Sequence, residues 1–318
     1  MPTRWVQCLF FMEYLESIEQ LQELKIPEMK NSLKIVLLSM MSIIAVSCKK
    51  EDKSPSYHKG DLTILTDESF KSVTEALADG YMINYPETHI KIVTQKEDLA
   101  FLDLLKDKAR ITVMSRDLTP EEKKAYEEQV DLKFLPARFA ADAVVFIVPK
   151  DSPKQSISMD EIKSGLESDA KNFIFDGTNS SNLNFVAQKL NKQPKDLKFS
   201  IIPGNQNIVE ELGKYPDKIG VIGLNTFSRP YDKTSEKLRD MVKILPIEDK
   251  GKLYTADNAG LREMKYPFTR VLYFLTNEGN FNIANGFIRY SCTQLGQMIV
   301  EKEGLQPYNI YKREVQMR

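Results

Sequence analysis

The sequence predicts an α/β protein with room for two domains, each a sheet flanked by helices, and three observations predict it. Short apolar runs alternate with stretches of helical periodicity, the arrangement of a parallel-rich sheet wrapped by helices. The pattern restarts after Ser158. The chain has 318 residues, enough after removal of a leader for two domains of roughly 100 to 150 residues with their own cores.

The leader comes first. From Met29 the chain reads MKNSLKIVLLSMMSIIAVSCKKEDKS, with two lysines, an apolar run from Ile35 to Val46, small residues and then Cys48. This is the layout of a secretory signal, too short to read as a spanning helix. Ile44 to Ser47 before Cys48 resembles a loose lipobox, which implies cleavage before Cys48 and lipidation of its thiol. Residues 1–28 carry Glu13, Glu16, Glu19, Glu23 and Glu28, which do not suit a short basic n-region, so Met29 is the expected start. Residues 48–60, polar with Pro, Ser and Gly, read as a flexible tether.

From Asp61, LTILT is a strand and FKSVTEALADGYMINYP a helix with Val73, Leu77 and Tyr81 on one face. IKIVT is a strand, DLAFLDLLKDK a helix with Leu99, Leu102 and Leu105 apolar, and ITVMS a strand ending at Ser115. Thr119 and Glu122 form a capping box, with Pro120 at the first helical position. A long β run covers Ala143 to Val148. Ser158 and Glu161 make a second capping box, NFIFD is a strand leading into a polar stretch, and NFVAQKL is a helix. KFSIIP, KIGVIGLN, MVKILPIED and YPFTRVLYFLT read as strands, with NQNIVEELGKYP helical. FNIANGFIRYSCTQLGQMIVEKEG reads as one long helix closed by Gly304.

Composition narrows the chemistry. A formal net charge of -1 with 28% charged residues and no basic arm gives no bias toward nucleic acid. Cys8, Cys48 and Cys292 offer neither a disulfide framework nor metal-ligand spacing, and His58 and His89 have no third partner nearby. No metal or cofactor is expected, and no His-dependent triad.

Polar clusters fall at the carboxyl ends of predicted strands: Thr66 to Ser69, Ser115 with Arg116, and Thr178 to Asn182. Ligands bind at that edge in open α/β sheets. The stretch FDGTNSSNLNF runs from a strand into a helix, so its first amides can hold an anion; Ser180 or Ser181 acting only as a helix cap is the plainer account. Asp142 precedes an apolar run and is either a pocket carboxylate or a solvated strand-end charge.

LTDESF, ITVMSRDLTPEE, FAADAVVFIVPKDSP, NSSNLNF, YPDKIGVIGLN, YPFTRVLYF and GFIRYSCTQLGQMIVEKEGLQPYN, in that order, resemble the phosphate-binding component of bacterial phosphate ABC transporters, particularly the Bacteroidetes lipoproteins. The resemblance covers Asp61 to Arg318. It implies the two-domain class II periplasmic binding protein fold, each domain a mixed sheet flanked by helices with the ligand cleft between. Domain I would comprise 61–147 and 243–318, and domain II 148–242, closing by hinge motion. It further implies a monomer, lipid-anchored in the cell envelope and facing the periplasm, that binds inorganic phosphate and delivers it to permease subunits without a covalent step.

Carried over position by position, the first anion loop falls on Asp67, Glu68, Ser69 and Phe70. The Ser-Arg pair falls on Ser115 and Arg116, the acid on Asp142, and the last loop on Ser180, Ser181 and Asn182. Hydroxyls and amides would donate to phosphate oxygens, Arg116 would add a charge-assisted donor, and a carboxylate would reward the proton that hydrogen phosphate carries and sulfate lacks. Relatives usually have Thr at Asn182 and Arg at Asn184, and the second difference removes a full charge. Other readings are a different oxyanion such as sulfate or molybdate, a sensing or adhesion lipoprotein, and a secreted phosphate-ester hydrolase using Ser115 or Ser181. The hydrolase would lack His or Cys in these loops.

Overall fold

A computed structural model describes residues 56–310. The predicted start at Met29, the signal with Cys48 and the first part of the predicted tether lie outside the described residues; the end of that tether is corrected, because residues 59 and 60 already belong to the first strand. Among the described residues no helix is long and apolar enough to cross a membrane.

The first strand, β1 (Lys59–Thr66), pairs in parallel with β2 (Glu87–Thr94) and β3 (Ile111–Met114). Helices α1 (Lys71–Asn84) and α2 (Glu97–Leu105) make the crossovers, since parallel strands need a long connection. Helix α3 (Pro120–Val130) starts on the predicted capping box of Thr119 and Glu122. It leads to β4 (Ala137–Pro149), whose 13 residues extend well before the expected run and are almost all buried. The second pass supplies β5 (Ile157–Ser158), α4 (Met159–Glu167), β6 (Phe173–Phe175), α5 (Ser181–Lys189), β7 (Ser200–Ile201), α6 (Asn205–Glu211) and β8 (Ile219–Gly223). After α7 (Lys233–Met241) come β9 (Val242–Ile244), β10 (Ile247–Asp249), β11 (Lys252–Tyr254) and α8 (Asn258–Arg262). The described part ends with β12 (Thr269–Thr276), α9 (Ile283–Ser291), α10 (Gln294–Lys302) and β13 (Gln306–Pro307).

The large sheet runs β2-β1-β3-β12-β4-β8-β6-β7, with β9 and β13 also paired to β4. It is mixed: parallel in the outer parts, antiparallel wherever β12 or β4 takes part. The long strand β4 joins everything. Its first half pairs β12 and its second half β8 and β9. One core gathers Phe70, Leu77, Phe139, Phe274 and Phe287, with Phe139 stacked on Phe274 at 4.2 Å. Another gathers Phe146, Phe173, Phe175, Ile222 and Phe268. Each such side chain contributes roughly 1.5 to 3 kcal/mol of burial.

Two helices differ from expectation. Residues 281–304 form not one helix but two, α9 and α10, broken at Cys292 and Thr293. The Ser291 and Thr293 hydroxyls donate back to Phe287 and Tyr290 carbonyls, the local bonding by which these residues compete with helix propagation. Gly296 makes the tight junction possible, because a Cβ there would sit 2.5 Å from the carbonyls of Tyr290 and Ser291. Gly304 does follow the end of α10 with φ +75°. In α2, Leu99 and Leu102 are exposed, while Glu97, Ala100, Phe101 and Leu104 are buried. The stripe i, i+3, i+4, i+7 therefore includes a carboxylate, and its cause lies in the site.

Candidate functional site

The ends of β1, β3, β6 and β8 deliver four polar loops to one place. After β1, Asp67 caps a short 3-10 turn, Glu68–Phe70, by accepting from the Ser69 amide at 3.0 Å. Its other carboxylate oxygen accepts from Glu97 N at 3.3 Å and from Ser181 N at 3.1 Å. Asp67 thus ties the loop after β1 to the starts of α2 and α5. The Ser181 amide at the head of α5 faces this carboxylate, while Ser180 caps the helix by accepting from Leu183 N. Ser69 Oγ accepts from Asn205, which in turn accepts from Asn182. Glu68 accepts from the Asn205 amide at 2.9 Å. Phe70 lies in the core under Arg270, whose guanidinium is 4.6 Å from the ring centroid.

Ser115, at the end of β3, donates from both its amide and its hydroxyl to Glu97 Oε1, at 2.6 and 2.9 Å. Glu97 is fully buried, and its Oε2 accepts no hydrogen bond. Burial pushes its carboxyl from 4.5 up to about 7, against the opposing pull of Arg116. Arg116 is held by three acids: Glu122 through two oxygens, Asp98 at 2.8 Å, and Glu97 at 3.7 Å. Its pKa rises despite burial because these carboxylates favour the charged form.

Asp142 stands opposite Arg270 in the register of β4 and β12, and both side chains are buried. One Asp142 oxygen accepts from Arg270 Nε and Nη2 at 2.9 and 2.7 Å; the other accepts from the Asn225 amide. Burial raises the Asp142 pKa while Arg270 pulls it down. Arg270 Nη1 has no hydrogen-bond partner although buried. Close approach is built in at Gly223, where a Cβ would lie 2.8 Å from Arg270 Nη2 and 2.9 Å from Ser69 Cβ.

The predicted residues therefore fall into two groups. Asp67, Glu68, Ser69, Ser181 and Asn182 share one hydrogen-bonded network, with Ser115 attached through Glu97; Asp142 is bonded to Arg270, which with Ser69 flanks Gly223, while Ser180 caps its helix and Phe70 lies in the core. Arg116 instead lines a separate cavity of about 380 Å³ with Asp98, Glu122 and Asn184. The Asn184 amide is buried with neither end bonded. Ser181 Oγ and Asn182 Oδ1 are likewise buried without a partner. Unmade hydrogen bonds of this kind are rare in native proteins, and a bound polar group is one way to fill them. Ser115 and Arg270 line another cavity, of about 430 Å³.

Sequence reading passed over Glu97, Arg270 and Asn205. Arg270 had a usable signal, a single arginine inside the apolar run FTRVLYFL. Glu97 had a weaker one, an acid in the stripe shared with Ala100 and Leu104. Asn205 had none. Among the described residues no group of three or more His, Cys, Asp or Glu is arranged to hold a metal ion.

Comparison with known proteins agrees with this architecture. Residues 53–294 match the family described as the PBP superfamily domain. The phosphate-binding protein PstS of Pseudomonas aeruginosa is 22% identical over 289 residues, covering 80% of this chain and 86% of that protein. The protein of the same name from Borreliella burgdorferi is 23% identical, covering 85% and 96%. A candidate phosphate ABC transporter substrate-binding protein from Clostridium perfringens, crystallised with phosphate, superposes with a TM-score of 0.64 at 20% identity, covering 78% of this chain and 99% of that one. An ABC-type phosphate transport receptor from Vibrio cholerae gives 0.58 at 14% identity, covering 77% and 99%. The fold is thus that of the periplasmic binding proteins, and the chain belongs to the PBP superfamily, its matched residues holding every side chain of the network above.

Proposed function

We propose that this chain captures inorganic phosphate for an ABC transporter, holding it with Ser69, Ser181 and Arg270, next to Ser115, whose own N–H and O–H go to Glu97. The observation that carries the reading is Arg270 Nη1, a buried charged donor with no partner among the described residues, on a guanidinium that shares the space around Gly223 with Ser69. An unpaired buried guanidinium nitrogen is costly unless an anion meets it. Ser181 Oγ, also buried and unpaired, is a second donor. Glu97 Oε2 supplies the acceptor: ionised above about pH 7, it takes the hydrogen bond of hydrogen phosphate and repels the aprotic sulfate. Glu97 therefore takes, in this reading, the discriminating role expected of Asp142 or of an acid in the first loop; Asp142 is engaged by Arg270 and Asn225.

In this reading the ligand sits in a cleft between two lobes, 61–147 with 243–318 and 148–242, which close around it. Cys48 carries a lipid that keeps the protein at the cell envelope, where it meets the permease as a monomer and performs no covalent chemistry. The relatives named as phosphate-binding proteins support the ligand and the transport setting. Calorimetric titration of the purified protein with phosphate, sulfate and molybdate tests the assignment. Heat with phosphate alone is expected, and a response to sulfate or molybdate without one to phosphate overturns it. Release from membranes on Cys48→Ser tests the anchor.

A further inference from the structure

The cavity that Ser115 and Arg270 line is much larger than one tetrahedral anion needs. Its volume of about 430 Å³ lies in the range of roughly 300 to 1,000 Å³ typical of pockets for organic ligands. Away from Ser115 and Arg270 its wall changes character. Phe134 and Phe185 present rings, and Lys123 and Lys189 each lie over one of them, with Nζ 5.3 and 5.6 Å from the centroids. Among the described residues no carboxylate forms an ion pair with either lysine, whereas Arg116 and Arg270 are each paired with acids. Asp117 and Arg138 line the same cavity and neither is in an ion pair among the described residues, so three unpaired cations face one unpaired carboxylate and the charge left uncompensated is net positive.

We infer that this site takes an organic phosphomonoester bearing a second anionic group, a carboxylate or another phosphate, in preference to inorganic phosphate. The inference rests on the oxyanion reading given above. The phosphoryl group occupies the end marked by Ser115 and Arg270, the carbon skeleton lies against the two rings, and the second anion meets Lys123 and Lys189. A free oxyanion leaves the rings and both lysines without a role. A bis-anionic ester uses all of them, and the two ammonium groups add charge-assisted hydrogen bonds at the far end.

The test is calorimetric titration of the whole protein with inorganic phosphate and with 3-phosphoglycerate as the probe ester. The ester is expected to bind about tenfold more tightly, the yield of one well-made charged contact. Lys123→Ala and Lys189→Ala are expected to bring the ratio of the two affinities back toward one, with folding checked by circular dichroism. If phosphate binds at least as tightly as the ester, the inference fails and the oxyanion reading stands. An advantage of the ester that both lysine variants retain also overturns it. If neither compound binds, the oxyanion reading falls and takes this inference with it.

Discussion

Arg116 and Arg270 are both nearly buried arginines at one edge of the same sheet, and they stand in opposite situations. Arg116 is 9% exposed and is met by Glu97, Asp98 and Glu122. Arg270 is 1% exposed and, among the described residues, is met by Asp142 as its one acid, with Nη1 unpartnered. The first arginine is a structural tie, its fork filled by the protein's own carboxylates. The second is poised, held at one side and open at the other. Under the proposed function, unfilled hydrogen-bonding capacity in a buried place, more than charge alone, distinguishes Arg270 from Arg116.

The largest effect that can break this contrast comes from Arg270→Met. Removing one partner of a buried ion pair strands Asp142 and costs about 3 to 5 kcal/mol, read as a lower midpoint in urea. The double variant with Asp142→Leu is expected to recover most of that stability while phosphate binding stays absent. Binding that survives in the double variant would place the anion elsewhere.

Glu97 is the next lever, through pH. Its folded pKa of about 7 lies above the ordinary 4.5, so the folded protein holds a proton that the unfolded chain releases between those values. Its contribution is fully present below pH 4.5 and is lost as pH rises through about 7, a swing of about 3 kcal/mol. Glu97→Gln is expected to flatten the pH dependence of unfolding across that window and to weaken discrimination against sulfate. An unchanged slope assigns the effect to another group.

Ser181→Ala comes third. It removes an unpaired buried hydroxyl, so affinity for the anion should fall by roughly 1 to 3 kcal/mol while thermal stability holds. Unchanged affinity would leave this serine a helix residue only. The smallest change in affinity is expected for Arg116→Gln, below about 1 kcal/mol, with its main effect on stability through lost bonds to charged groups. A large loss of binding there would reverse the roles of the two arginines.

Much of this was legible in advance because it is local. The capping box at Thr119 and Glu122, the cap at Ser180 and the alternation of strands and helices depend on neighbours within a few positions. The loops after β1, β3 and β6 were found because polar residues at strand ends interrupt apolar runs. The face of α2 was misread for the complementary reason. Leu99 and Leu102 look like core, yet the helix turns Glu97 inward to receive Ser115, a partner 18 positions away. The break at Cys292 escaped the periodicity because apolar residues continue in phase through it.

The sequence by itself determined the class of fold, the strand ends that carry polar loops, and the kinds of donor gathered there, since these follow from periodicity and local backbone bonding. Only the tertiary structure decided which of those donors are already satisfied. Asp67 takes the Ser181 amide from 114 positions away, and Asp142 takes Arg270 from 128. Hydrogen-bond saturation is a property of the packed neighbourhood, and a one-dimensional pattern does not contain the distances that set it.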